Sequence, residues 1–141
     1  MNRRIRAGQV AMTALVVTLA AAGCGGGKYP VRGIVTLDDG TPVAKGLVVF
    51  ERTEGGKPIT ARGEIKPDGS YELSTDKPGD GVPTGKYRVL VNALDLSDVP
   101  DEQKKLPFEF KYQRFETSGL EFEVKDGPNE YPITLNRPKK R

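Results

Sequence analysis

Neither histidine nor tryptophan occurs anywhere in the 141 residues, and there is a single cysteine, Cys24. Without imidazole, no side chain has an ordinary pKa near neutrality. This removes the histidine-type general base, the Ser/His/Asp arrangement and the histidine–carboxylate zinc site. One cysteine cannot close an internal disulfide, so the fold rests on packing alone. Sustained helical periodicity is missing as well, and no apolar run reaches the roughly 20 residues that span a bilayer. A clustered basic surface is also lacking. The 22 Lys and Arg stand against 19 Asp and Glu, and the excess sits at the two ends: Arg3, Arg4 and Arg6 at one, Arg137, Lys139, Lys140 and Arg141 at the other. The body between is mildly acidic, which argues against nucleic acid as a partner.

What the amino terminus does contain is an ordered series. Three arginines and no acid precede an apolar run over 10–22, and small residues then lead to Gly23-Cys24-Gly-Gly-Gly27. A basic end, a short apolar core and small residues at the cut predict an export signal over 1–23. Ala21-Ala22-Gly23-Cys24 resembles the bacterial lipobox, with Ala21 where that family prefers leucine. The resemblance implies cleavage before Cys24 and a diacylglyceryl group on its thiol. The product would be an exported lipoprotein at the outer membrane or on a periplasmic or cell-surface face, with the membrane as partner. Two acyl chains make such attachment stable where one is marginal. The competing expectation is an ordinary secretory signal that leaves a free thiol; Arg3-Arg4 lacks the context of a twin-arginine signal. Removing 1–23 takes away three arginines and no acid and leaves basic and acidic residues in balance.

Residues 24–28 read as the lipidated cysteine and a glycine tether, at most roughly 14 Å for four residues. From 29 to 136 the chain alternates strands and turns. Residues 31–37 set Val31, Gly33, Val35 and Leu37 against Arg32, Ile34 and Thr36. Residues 46–52 form a second strand, and 59–66 a third with Ala61, Gly63 and Ile65 on one face. Pro67-Asp68-Gly69 is the clearest hairpin turn, after which Tyr71 and Leu73 point inward. A punctuated loop over 76–85 leads to 86–93, where Tyr87, Val89, Val91 and Ala93 share a face. Residues 120–124 and 131–135 alternate again around a turn at 125–129, and Pro132 predicts an edge position for the last strand.

The 95–118 stretch has no clean period. Within it, 98–105 suits a short helical turn, because Pro100 fits a first helical position beside Asp101 and Glu102. Lys111-Tyr112 reads as a short extended piece at a sheet edge. With 17 glycines and 11 prolines concentrated between the strands, the pattern predicts an all-β domain, a seven-stranded antiparallel sandwich. A basic tail, 137–141, follows it.

Val31-x-Gly33-x-Val35-x-Leu37-Asp38-x-Gly40-x-Pro42-Val43, Val48-x-Phe50, Pro67-Asp68-Gly69-x-Tyr71-x-Leu73 and Pro83-x-Gly85-x-Tyr87-x-Val89 together resemble the carboxypeptidase regulatory-like, transthyretin-like domain. Lys111-Tyr112 and Thr117-Ser118-Gly119-Leu120, followed by a strand, Asn129 and a last strand, are similar to small bacterial lipoproteins built from one such domain behind a lipobox. The resemblance covers roughly 24–136 and implies a Greek-key β-sandwich. Its positions are turn and core residues, so it implies fold rather than chemistry. An enzymatic branch of that fold, the hydroxyisourate hydrolases, uses histidines with an arginine and ends Tyr-Arg-Gly-Ser. This chain has no histidine and ends Asn136-Arg-Pro-Lys-Lys-Arg141.

The remaining candidates are weak in chemistry. Ser70, Ser74, Ser97 and Ser118 are the serines available to a Ser–Lys dyad, and no motif supports one. Asp38-Asp39, Asp76 with Asp80, and Asp98 with Asp101 and Glu102 offer the oxygen ligands that calcium takes, without the spacing of a known loop. Phe108, Phe110, Tyr112 and Phe115, interleaved with Lys104, Lys105, Lys111 and Arg114, either cover an open edge of the sandwich or present a surface to a protein or glycan. The basic tail is either solvated or laid on anionic lipid or cell-wall polymer. The expectation is a non-enzymatic, lipid-anchored envelope module without cofactor, in a structural or accessory role. The alternative is a glycan- or peptide-binding module at the cell surface.

Overall fold

The computed structural model describes residues 27–93 and 106–139. The signal segment, Cys24, the expected 98–105 turn and the last two residues lie outside them. Among the described residues the chain is all-β, with ten strands: β1 (Lys28–Tyr29), β2 (Val31–Leu37), β3 (Gly46–Arg52), β4 (Ile59–Ile65), β5 (Ser70–Glu72), β6 (Val82–Pro83), β7 (Gly85–Asn92), β8 (Leu120–Val124), β9 (Asn129–Glu130) and β10 (Ile133–Leu135). A 3₁₀ turn (Phe110–Gln113) and a one-turn helix, α1 (Phe115–Ser118), are the helical pieces described. Each of the seven segments expected from alternation contains a strand. The surplus is the two-residue β1, β6 and β9. No helix among the described residues is long and apolar enough to cross a membrane.

The strands alternate because successive side chains point to opposite faces. In β2, Val31, Val35 and Leu37 are buried while Arg32 and Ile34 are exposed, Ile34 by half. β3 pairs antiparallel with β4 along its whole length and with β7 on its other side, and β8 adds to β7. The sheet order is therefore β4-β3-β7-β8. A second set forms around β2, which pairs antiparallel with β5 and parallel with β9 and β10. The expected wholly antiparallel pairing is corrected here. After β8 the chain crosses to the other sheet and runs along β2 in the same direction, where a tight hairpin would have reversed it. Pro132 falls between β9 and β10, where the ladder is interrupted and its missing N–H goes unused; β10 is the outer strand of that sheet.

Inward residues of both sets merge into one core. Val31, Val35, Leu73, Ile133 and Leu135 meet Val48, Phe50, Ala61, Tyr87, Val89 and Val91. Fully burying side chains of this size contributes roughly 1.5–3 kcal/mol each. Phe50 lies 6.0 Å from both Phe122 and Tyr131, and these two stack at 4.6 Å, which joins β8 to the β9–β10 connection. At one corner Arg62 and Ser74 exchange backbone hydrogen bonds at 2.9 Å, linking β4 to the chain that leaves β5.

Candidate functional site

The strand directions give the domain two chemically different ends, separated by the length of β2, about 20 Å for seven residues. At the first end, Lys28 pairs with Pro83 and Tyr29 with Val82. Lys28 is thus part of a strand and not of the tether, which corrects the expected boundary at 28. Its Nζ donates to Asp76 Oδ2 at 2.5 Å and to Asp80 Oδ2 at 2.6 Å. Asp80 is the organiser of this corner: its carboxylate also accepts the backbone N–H groups of Thr75, Asp76 and Lys77. Partial desolvation pushes its pKa up, but Lys28 and the three N–H groups outweigh that and hold it well below the usual carboxylate range. The same two carboxylates raise the Lys28 pKa. Beside them, the negative charge of Asp126 raises the pKa of the Tyr29 phenol. Asn129 ties the adjoining loop: Oδ1 accepts Lys125 N–H, and Nδ2 donates to the carbonyls of Lys125 and Gly127, all at 2.9 Å.

At the opposite end, Arg137 ion-pairs with Asp39, with Asp38 3.8 Å away. The Thr41 backbone N–H, the Thr41 hydroxyl and Arg137 lower the Asp39 pKa against a smaller desolvation effect. Segment 108–118 packs nearby: Glu109 N–H donates to Asn136 O, and Asn136 N–H to the Tyr112 hydroxyl. Phe108 and Tyr112 are buried in the core and meet edge-to-face at 6.3 Å. As members of a partner surface they are corrected; both rings belong to the shared core. Lys111-Tyr112 is a 3₁₀ turn and not an extended edge piece. Phe115 is half-buried under the Arg88 guanidinium. Phe110 alone of the four is open, 58% exposed, with Arg114 over its ring at 5.4 Å.

The other candidates are occupied by structure. Ser118 is buried, donating to Val89 O at 2.5 Å and accepting from Leu120 N–H. The Ser70 hydroxyl donates to Asp68, and that of Ser74 accepts Gly79 N–H. The carboxylates of Asp38, Asp39, Asp76 and Asp80 face Arg137 or Lys28, and no group of three or more potential metal ligands gathers among the described residues. Ser97, Asp98, Asp101 and Glu102 lie outside them. A cleft of about 400 Å³ is lined by Glu51, Arg52, Lys86, Tyr87, Arg88 and Phe122 among others. Its Arg88 pairs with Glu51 at 2.6 Å, Arg52 lies over the Tyr87 ring and donates to Thr84 O, and the Tyr87 hydroxyl donates to Pro83 O. This arrangement does ion pairing and packing.

Sequence reasoning missed Lys28, Asp80 and Arg52 as organising residues. The partners of Lys28 and Arg52 lie 48 and 32 positions away, beyond any local pattern. No protein-family model matches this chain, and neither a curated protein nor a solved structure matches it.

Proposed function

We propose that the chain is a lipid-anchored, non-enzymatic module of the cell envelope, exported by its amino-terminal signal and held to the membrane through Cys24. In this reading the domain is a Greek-key sandwich of the transthyretin-like, carboxypeptidase regulatory-like kind, with a structural or accessory interaction role. The sandwich is supported by the two strand sets, which share one core. The anchoring rests on the basic end, the apolar run and Ala21-Ala22-Gly23-Cys24, and its reach on how soon the fold begins: Lys28, four residues after Cys24, is already strand-paired and bound to Asp76 and Asp80. A lipid on Cys24 therefore holds the folded body close to the bilayer, not on a stalk.

The test is incorporation of an alkynyl palmitate analogue together with membrane fractionation. The expected result is a labelled, membrane-bound chain that loses both properties in Cys24→Ser. A Cys24→Ser protein still labelled and still in the membrane would overturn the reading. A second reading, recognition of a glycan or peptide at the cell surface, draws on Phe110, an exposed ring with a guanidinium over it. It is checked by whether Phe110→Ala abolishes chemical-shift changes on adding cell-wall fragments while leaving thermal stability unchanged.

A further inference from the structure

The geometry points to a fixed standing orientation on the membrane: the end formed by β1 and the loops 53–58, 76–80 and 125–128 faces the phospholipid headgroups. The opposite end, with Thr41, Phe110 and the start of the basic tail, faces away. This rests on the anchoring proposed above and adds the surface that meets the lipid.

The argument begins with chain length. Four residues from Cys24 to Lys28 reach at most roughly 14 Å, less than the length of β2. Lys28 itself cannot swing, because β1 is paired with β6 and its ammonium is held by Asp76 and Asp80. A bilayer reached from this point must lie beside the end at which β1 starts.

Three loops surround that point. Loop 76–80 contains both partners of Lys28. Loop 53–58 follows Arg52, whose guanidinium donates to Thr84 O next to β6. Loop 125–128 follows Val124, which pairs with Gly85, and precedes Asn129, whose N–H donates to Pro30 O. Each loop carries one exposed lysine: Lys57, Lys77 and Lys125. Of the acids here, Asp76 and Asp80 face Lys28; Asp126 and Glu54 are the others. Positive and negative residues at this end balance, so the lipid anchor supplies the attachment, and the lysines, on long flexible stems, meet phosphate oxygens.

The far end follows from β2 and β10, which run parallel away from β1. Arg137 emerges there against Asp38 and Asp39. The tail therefore departs on the side opposite the anchor, about 20 Å along β2.

The test uses the full chain, made in a host that lipidates it and reconstituted in phosphatidylethanolamine–phosphatidylglycerol vesicles containing headgroup nitroxide lipid. Lys57→Cys, Lys77→Cys, Thr41→Cys and Lys139→Cys each receive a fluorophore, the Cys24 thiol being blocked by its own lipid. Quenching at 57 and 77 is expected to exceed that at 41 and 139 several-fold. A long glycine–serine insertion between Gly26 and Gly27 is expected to erase the difference. Equal quenching at all four positions, or stronger quenching at 41 and 139, in a protein that is acylated and vesicle-bound overturns the orientation and leaves the anchoring intact. A protein neither acylated nor vesicle-bound overturns both.

Discussion

Gly33 is the described glycine at which an added methyl group would come nearest to another atom. Its backbone is ordinary extended strand, so the issue is space. A Cβ built there lies 2.0 Å from the Tyr131 carbonyl oxygen, 2.7 Å from its carbon and 2.9 Å from the Tyr71 ring. A strand must move to accommodate it, and the moving part is the β9–β10 connection. That motion breaks the 2.5 Å hydrogen bond from the Tyr71 hydroxyl to Tyr131 O and disturbs the Phe122–Tyr131 stack. Overpacking costs about 1–3 kcal/mol. The lost hydrogen bond adds about 1 kcal/mol and the loosened stack about 0.5–1.5 kcal/mol. The stiffer unfolded chain offsets about 0.4–1 kcal/mol.

Gly33→Ala is therefore expected to lose about 2–4 kcal/mol, a fall in Tm of roughly 10–25 °C for a domain near 100 residues, read by far-UV circular dichroism. Gly40 is the control. It has a φ of 85° and open space around its Cβ position, so Gly40→Ala loses only the left-handed backbone term, about 1–2 kcal/mol. In a double-mutant cycle, Tyr71→Phe should cost less in the Gly33→Ala background than in the parent, because its hydrogen bond is already gone. A Gly33→Ala protein no less stable than Gly40→Ala, or a cycle with no coupling, would refute the steric argument.

Asn129→Ala removes a loop tie that accepts one backbone N–H and donates to two carbonyls at 2.9 Å; about 2–3 kcal/mol should be lost in urea unfolding, and Asn129→Asp should be no better, having no donor for those carbonyls. Ser118→Ala leaves the Leu120 N–H without its side-chain acceptor in a buried setting and should cost about 1–3 kcal/mol; a change below experimental error would show that water replaces the hydroxyl. For pH, Asp39, Asp68 and Asp80 have lowered pKa values in the fold, so their stabilisation is present above about pH 4 and is lost as pH falls through the folded values. Burial raises the phenols of Tyr71, Tyr87 and Tyr131, so stability is complete below about pH 10 and declines as pH rises past it. With no histidine between, Tm should be flat from roughly pH 5 to 9, and a step near neutrality would contradict the reading.

Local patterns were readable and long-range pairings were not. Val31, Val35 and Leu37 announce the buried face of β2 because a period of two is visible within seven residues, and the same parity correctly leaves Ile34 outside. The turn at 125–129 announces a break after β8, but nothing in those residues says that the chain then changes sheet and runs parallel to β2. Phe108 and Tyr112 were ambiguous because segment 106–118 has no period; only their burial in the core of the folded chain decides that they are packing residues. Lys28 looked like the end of a glycine tether because its carboxylate partners are 48 and 52 positions away. Cys24, the residue with the most legible chemistry, lies outside the described residues, so the anchor is read from sequence and its setting from the strand that follows.

The seam of β2 also sets a schedule for folding. Pro30 and Asn129, which bond across it, are 99 positions apart, so the first long strand finds its last neighbours only when nearly all of the chain is present. Folds dominated by such distant pairings close slowly, over milliseconds to seconds, because loop-closure entropy must be overcome before any contact compensates it. For a chain proposed to cross a membrane before folding, that delay is useful. The emerging polypeptide cannot complete its native sheet while its own C-terminal strands are still on the ribosome, so the translocation proposed above, if it began during synthesis, would meet a chain that is not yet folded.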